Sequence, residues 1–311
     1  MNIQTLSATA AILISLATLP LAAQTPTPAE ALRDTAAHDG RVFVAAHRAD
    51  WKYSPENSLR GLQNAIFFGV DIIETDVRQT ADGHFIMMHD ATVDRMTNGS
   101  GTISEMTLAQ IRSLRLKTNW GQSTTMGVPT LEEFIAEARG RACLYLDKAG
   151  IDLPGREAGS TVRALLNVLR QHDALQETIF VLDWPYEKAR RVFGTALDSV
   201  IYCPVIDDRI PALADYVEEY LRELRPVAFQ FRMATTESET YRLLLRVLAS
   251  GSRAFVAATW PNHTAGHDDE TSVFSRPSEG WGWLINKGFS VIETNFPRDL
   301  LQYLQSEHRH R

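Results

Sequence analysis

Apolar positions along this chain alternate between two rhythms. Short runs rich in Val, Ile and Phe recur at 42–46, 70–77, 142–147, 178–182, 199–203, 226–231, 253–260 and 290–294. Between them, apolar residues fall at helical spacing: Leu59/Leu62/Ile66, Leu131/Phe134/Ile135, Val162/Leu165/Leu166/Leu169, Leu213/Val217/Leu221/Leu224 and Leu244/Leu245/Leu248. Continuous apolar runs suit strands buried on both faces, and the intervening spacing suits helices packed along one stripe. Thr130 with Glu133 three residues on is a capping box that opens one of these helices. Eight strand–helix units predict an α/β fold, a closed parallel (β/α)8 TIM barrel, in one domain over 41–311. No Gly-rich dinucleotide fingerprint follows the first run, which counts against an open doubly wound sheet.

The second strand breaks the rhythm. Thr80-Ala81-Asp82-Gly83 follows it, and then a second apolar run at 85–88. Asp-Gly between two strand-like runs signals a hairpin, so the second strand is expected to extend past the rim and fold back, delivering His89 to the mouth. A capping insertion then occupies about 90–129, with a flexible turn at Asn98-Gly99-Ser100-Gly101 and a short helix near 108–116. Loops on that face of a barrel build active sites.

Charge narrows the function classes. The 311 residues carry 31 Lys and Arg against 38 Asp and Glu, a formal net charge of −7, with no basic run. That excludes a non-specific nucleic-acid binder, which needs a basic stripe. Residues 1–23 contain no charged side chain, and their apolar stretch at 10–19 is too short to span a bilayer. They read as a secretory signal peptide followed by a linker at 24–40, which places the mature protein in the periplasm or outside the cell. No later segment is long and apolar enough for stable membrane insertion. Cys143 and Cys203 fall in core strands and are expected as buried thiols.

Chemistry concentrates where strands end. The first strand ends in His47-Arg48, the second contains Glu74-Thr75-Asp76, the hairpin ends in His89-Asp90, and the third barrel strand ends in Asp147-Lys148. Residues i and i+2 of a strand face the same way, so Glu74 and Asp76 share a face. If outward, they would bury two carboxylates among Ile72, Thr75 and Val77. If inward, a hard divalent ion such as Ca²⁺ or Mg²⁺ relieves their repulsion, with Asp147 as a third oxygen donor. His47 and His89 near one mouth suit a general acid and a general base, and Arg48 offers a fork matched to phosphate oxygens. Metal, Arg and two His together suit cleavage of a small-molecule phosphodiester.

Other polar clusters are candidates too. His263, His267, Asp268, Asp269 and Glu270 make either a second metal site or a solvated lid loop. Trp281 and Trp283 read as helix packing, and His308 and His310 as a solvated tail.

His47-Arg48, Pro55-Glu56-Asn57, Glu74-Thr75-Asp76-Val77 with Thr80 and Asp82-Gly83, and His89-Asp90 with Asp94-Arg95 and Thr97 resemble the glycerophosphodiester phosphodiesterase family. The likeness is dense over 44–115 and continues in order at Leu146-Asp147-Lys148, Trp260 and Thr294-Asn295-Phe296-Pro297. It implies a TIM-type barrel with an insertion at the place read above. It also implies a Ca²⁺ or Mg²⁺ ion held by Glu74, Asp76 and Asp147, an acid/base pair of His47 and His89, and a substrate held by Arg48, Lys148 and Trp260. The chain departs from the family pattern at Ala49, where the family has Gly. It has Asp147-Lys148 in place of a Glu with Lys two residues on, and Asn295 in place of Asp. Strand alternation would turn Lys148 outward unless the strand ends or bulges there, and the shorter Asp147 would reach the ion through water unless its strand sits closer to the axis. The implied reaction is hydrolysis of a glycerophosphodiester-like substrate to an alcohol and a phosphomonoester. Two alternatives stay open: a relative acting on inositol or lysophospholipid head groups or stopping at a cyclic phosphate, and a non-catalytic barrel that binds phosphorylated ligands.

Overall fold

The computed structural model describes residues 25–36 and 40–310. The proposed signal peptide at 1–23 and part of the linker lie outside them. Nine strands form one sheet: β1 (Phe43–Ala46), β2 (Ile72–Gln79), β3 (Phe85–Met87), β4 (Cys143–Asp147), β5 (Thr178–Leu182), β6 (Ile201–Asp207), β7 (Ala228–Arg232), β8 (Arg253–Ala257) and β9 (Phe289–Thr294). Their order is β1-β9-β8-β7-β6-β5-β4-β2-β3, and β1 also pairs with β2. All pairings are parallel except that of β3 on β2, so eight strands close into the expected TIM barrel and β3 is the return arm of the hairpin.

Alternation sorts the side chains into two layers. Phe43, Ala45, Ile72, Cys143, Tyr145, Ile179, Val181, Ile201, Cys203, Val205, Ala228, Phe255 and Val291 fill the barrel interior. Val44, Ala46, Ile73, Leu144, Phe180, Phe229, Val256 and Ile292 point the other way, onto helices carrying Leu62, Leu165, Val217, Leu284 and Leu300. Both faces are therefore apolar, which is why the runs read as continuous. Cys143 and Cys203 are separate, buried thiols of the interior layer.

The segment read as a linker proves partly structural. Helix Pro28–Arg33 is capped by a reciprocal Thr27/Glu30 box and buries Ala29 and Leu32 in the interior layer. Arg253 donates to the carbonyls of Ala31, Leu32 and Asp34 at its end, and Arg33 to those of Gln176 and Ser199. This helix seals the barrel floor; its shortness hid it in the pattern. The tail expectation is likewise corrected for His310. Its ring nitrogens lie 3.1 Å from Val42 O and 3.1 Å from Gly69 O, at the foot of β1.

The insertion after β3 has its own small core of Ile86, Met88, Val93, Met96, Ile103, Ile111, Leu116 and Val128. It carries helix Leu108–Arg112, and Asn119 reaches back to the carbonyl of Trp51 at 2.5 Å. The cap is thus tied to the loop after β1, which contributes His47 and Arg48. Among the described residues, no helix is long and apolar enough to cross a membrane.

Candidate active site

Ile72 belongs to the interior layer, so alternation carries Glu74 and Asp76 inward as well. Register then aligns Glu74 with Tyr145 and Asp76 with Asp147 across β2 and β4. One carboxylate oxygen from each of Glu74, Asp76 and Asp147 lies within 4.8 Å of the others. Burial, and then the charges of Asp76, Glu293 and Asp147, push the Glu74 carboxyl well above its ordinary range. Such a cluster is relieved by a cation, and oxygens at most 4.8 Å apart fit two Ca²⁺–O bonds of about 2.3–2.6 Å each. The carboxylate set, with no Cys among the ligands, fits a hard divalent ion.

The acids are held by the motifs around them. The Arg48 backbone N–H donates to Glu74 Oε2 at 2.7 Å. Asn57 Nδ2 donates to Asp76 Oδ2 at 2.9 Å, while Asn57 Oδ1 accepts from Thr75 Oγ1 and from the Asp76 N–H. Arg95 grips Glu56 at 2.7 and 3.0 Å, and Glu56 accepts from Arg48 Nη1 at 3.2 Å. Burial alone would raise the Glu56 carboxyl, but Arg95 and Arg48 outweigh it and hold it below its ordinary value. Glu56 and Asn57 of the Pro-Glu-Asn motif are therefore positioning residues.

Lys148 takes the alternative in which the strand ends before it. β4 ends at Asp147, and Lys148 adopts φ 64°, in the left-handed region, so alternation stops there. Its ammonium bonds Asp147 Oδ2 and lies 3.2 Å from Asp76 Oδ1. Burial would raise the Asp147 carboxyl, but Lys148 outweighs it and the group stays low.

The two histidines have different partners. His47 Nδ1 donates to Asn295 Oδ1 at 2.7 Å, and its Nε2 lies 4.0 Å from Glu74 Oε2. Burial, then Arg48, lowers its pKa. Trp51 Nε1 donates to the same Asn295 oxygen at 3.1 Å. His89 Nδ1 donates to Asp90 Oδ1 at 2.7 Å, and Arg95 clamps the same carboxylate at 2.7 and 3.0 Å. That clamp, with His89, holds Asp90 far below its ordinary range. Met88 N–H bonds the Asp76 carbonyl at 2.9 Å, and Arg78 bonds the His89 carbonyl, so the hairpin holds the His89 backbone next to the end of β2.

Sequence reasoning missed Glu293. It is buried in β9, register-paired with Ala45 and Ala257, and one of its oxygens lies within 4.8 Å of His47 and Glu74 ligand atoms. Burial, then Asp147, pushes its carboxyl up to about 8. The signal was a charged residue within an apolar run. Asp269 is not part of a solvated lid. Its side chain is buried and accepts from Trp281 Nε1, Thr294 Oγ1 and the Asn295 N–H. His267 stacks on Trp283 at 3.8 Å, and Asp268 caps helix Asp269–Phe274. Trp260, three residues after the end of β8, stands 54% exposed.

Comparison with known proteins places the chain in a family. Residues 47–259 match the model of the glycerophosphoryl diester phosphodiesterase family. A glycerophosphodiester phosphodiesterase of Caldanaerobacter subterraneus subsp. tengcongensis is 42% identical over 94 residues, 30% of this chain and 39% of that one. One from Bacillus subtilis is 32% identical over 145 residues, 43% of this chain and 48% of that one. These matches thus span less than half of the relatives' own length. Among solved structures, a glycerophosphoryl diester phosphodiesterase of Parabacteroides distasonis superposes with a TM-score of 0.70 at 22% identity, covering 90% of this chain and 92% of that one. A phosphodiesterase of Oleispira antarctica, in complex with the product sn-glycerol-3-phosphate, gives 0.62 at 22% identity, covering 85% and 96%. With more than half its length matched and the motif residues gathered at one mouth, this chain belongs to the glycerophosphoryl diester phosphodiesterase family.

Proposed function

We propose that the protein is an exported, divalent-cation-dependent phosphodiesterase that hydrolyses glycerophosphodiesters to an alcohol and a phosphomonoester. The carrying observation is the unequal partnering of His47, beside the acidic cluster, and His89, at the end of the hairpin. The indole Nε1 of Trp51 is only a donor, so the Asn295 atom facing it is the oxygen. The same oxygen then requires His47 Nδ1 to carry a proton. In the neutral ring, which burial and Arg48 favour, Nε2 is left with its lone pair toward the acids. His47 is the general base by this reading. His89 is instead oriented by its Nδ1 bond to the Asp90 carboxylate, which leaves Nε2 free for the part of general acid.

Glu74, Asp76 and Asp147 would hold the cation, which when bound supplies charge neutralisation to the phosphate and acidity to a neighbouring substrate hydroxyl. Arg48 and Lys148 bind the remaining phosphate oxygens. His47 Nε2 takes the proton of the attacking hydroxyl. His89 Nε2 gives its proton to the leaving alcohol, and the two exchange roles if a cyclic phosphate then opens with water. The tests are turnover of glycerophosphodiesters, lysophospholipids and inositol phosphodiesters with Ca²⁺ and Mg²⁺ in turn, and product identity by phosphorus NMR. Activity on no diester with either ion would overturn the reading. A cyclic phosphate as sole end product would confine it to the first half-reaction. Export rests on residues 1–23 and is tested by sequencing the N-terminus of the mature protein.

A further inference from the structure

The wall opposite the acids holds polar groups that the proposed reaction does not use. β7 lies four strands from β2 in either direction around the barrel. Gln230 pairs in register with Val205 and Phe255 of the interior layer, so Arg232, two residues on, also points inward at the C-terminal rim. Its charge reaches Tyr145, Asp147 and Glu293, which confirms that it faces the mouth. Its Nε is buried and has no hydrogen-bond partner among the described residues. The nearest carboxylate by register, Asp207, is already held by Arg209, with Nε at 2.9 Å and the backbone N–H at 3.0 Å.

Two further orphans stand at the same rim. The loop after β8 folds against the end of β7, where Met233 N–H bonds the His263 carbonyl at 3.2 Å. His263 Nδ1 and Thr259 Oγ1 are buried without hydrogen-bond partners among the described residues. Burial, then Arg232, pushes His263 down to about 4, so its ring is neutral at ordinary pH. Buried polar atoms are nearly always satisfied, so three orphans at one rim mark a place where a ligand or ordered water completes the set. With Asp207 neutralised by Arg209 and His263 uncharged, the local cation is Arg232, whose fork matches a carboxylate or phosphate.

We propose that Arg232, His263 and Thr259 form a second subsite that recognises an anionic oxygen group on the alcohol of the diester. The proposal rests on the phosphodiesterase reading: with phosphate held beside Arg48 and Lys148, a substrate lying across the mouth brings its alcohol to β7. The enzyme would therefore prefer diesters whose head group carries a carboxylate or a second phosphate over cationic or neutral ones.

The test compares glycerophosphoserine with glycerophosphoethanolamine, which differ by one carboxylate. Glycerophosphoglycerol with and without a terminal phosphate forms the second arm and separates the two anion sources. Wild type is expected to favour the anionic member of at least one pair by about tenfold to a hundredfold in kcat/KM, the range of a charge-assisted hydrogen bond. Arg232→Gln should bring that ratio to about one, and Thr259→Val should lower it partway if Arg232→Gln fails to fold. Equal kcat/KM within both pairs in wild type, or an unchanged ratio in a folded Arg232→Gln protein, would overturn the proposal. If no diester is cleaved, the phosphodiesterase reading fails separately. Calorimetric binding of O-phosphoserine against O-phosphoethanolamine then decides, a preference lost in Arg232→Gln supporting the subsite and equal affinities refuting it.

Discussion

The ammonium of Lys148 lies 3.2 Å from Oδ1 of Asp76, although Asp147, the preceding residue, has already taken the inward position on β4. Two consecutive residues face one mouth because the strand stops between them and Lys148 turns left-handed. The ammonium partly neutralises the acids and, in the proposed reaction, would bind phosphate. Lys148→Met should therefore act in opposite directions on two ligands. Cation affinity should tighten, by about threefold to tenfold, because a competing charge is gone. kcat/KM for a glycerophosphodiester should fall by about tenfold or more as a charge-assisted phosphate contact is lost. Calorimetric cation titration beside steady-state kinetics checks both, and weaker cation binding in the variant would contradict this placement.

Asn295 sets the His47 tautomer through an oxygen shared with Trp51. Asn295→Asp replaces that dipole with a charge facing Nδ1. A nearby carboxylate favours the imidazolium, so the His47 pKa should rise. A base works only when neutral, so the acidic limb of the kcat/KM profile should move to higher pH, by about one unit. A limb that stays put, with the variant folded, would remove His47 from the role of base.

The barrel was legible because both faces of each strand are apolar and the helices keep their spacing. The site was legible as far as local motifs carry it: Glu74, Asp76, His47 and the hairpin that delivers His89 all follow from alternation and one Asp-Gly turn. What the sequence hid depends on chain ends and on partners far away in sequence. Lys148 needed the end of β4. Glu293 needed the register of β9 on β1, and Asp269 needed Trp281 and Thr294 to reveal a buried, satisfied acid rather than a lid. The floor helix had only Ala29 and Leu32 to announce it.

Ala49 occupies the position where the family has Gly. It is fully buried at φ 63°, a region that costs a side chain roughly 1–2 kcal/mol. Ala49→Gly relieves that cost but loses a buried methyl, worth about 0.8 kcal/mol, and adds chain entropy in the unfolded state. The balance should lie within about 1 kcal/mol of zero, far from the loss expected at an ordinary buried Ala. Urea denaturation measures it. A loss above about 2 kcal/mol would show that the loop holding Arg48 depends on the methyl's packing.

Chelation tests the acidic cluster. Exhaustive dialysis against EDTA should abolish turnover, and Ca²⁺ or Mg²⁺ should restore it. Glu74→Gln and Asp76→Asn should each weaken cation binding by at least about a hundredfold. Asp147 lies in register with Asp76 and within reach of the same ion. Asp147→Asn should therefore lose nearly as much, as a direct ligand does. A loss for Asp147→Asn of only a few fold would instead indicate a water-bridged contact, the arrangement its shorter side chain suggested.

Stability against pH reports the same acids without any turnover. Glu293 is pushed up to about 8 and Asp269 up to about 7, in both cases first by burial. Carboxyls of the unfolded chain titrate near 4, so the folded state holds more protons between these values. Groups raised in this way contribute stability that is complete below the unfolded pKa and is lost as pH climbs through the folded one. The cation-free protein should therefore lose stability from pH 5 to pH 8.5, on the order of a few kcal/mol, read as a falling Tm. Glu293→Gln keeps the shape and removes the titration, so it should flatten much of that slope and raise Tm at pH 8.5. A saturating cation should flatten the wild-type slope too, because it stabilises the ionised neighbours. Differential scanning calorimetry across this interval decides, and a cation-free wild type whose Tm rises with pH would show that these carboxyls are not held protonated by the fold.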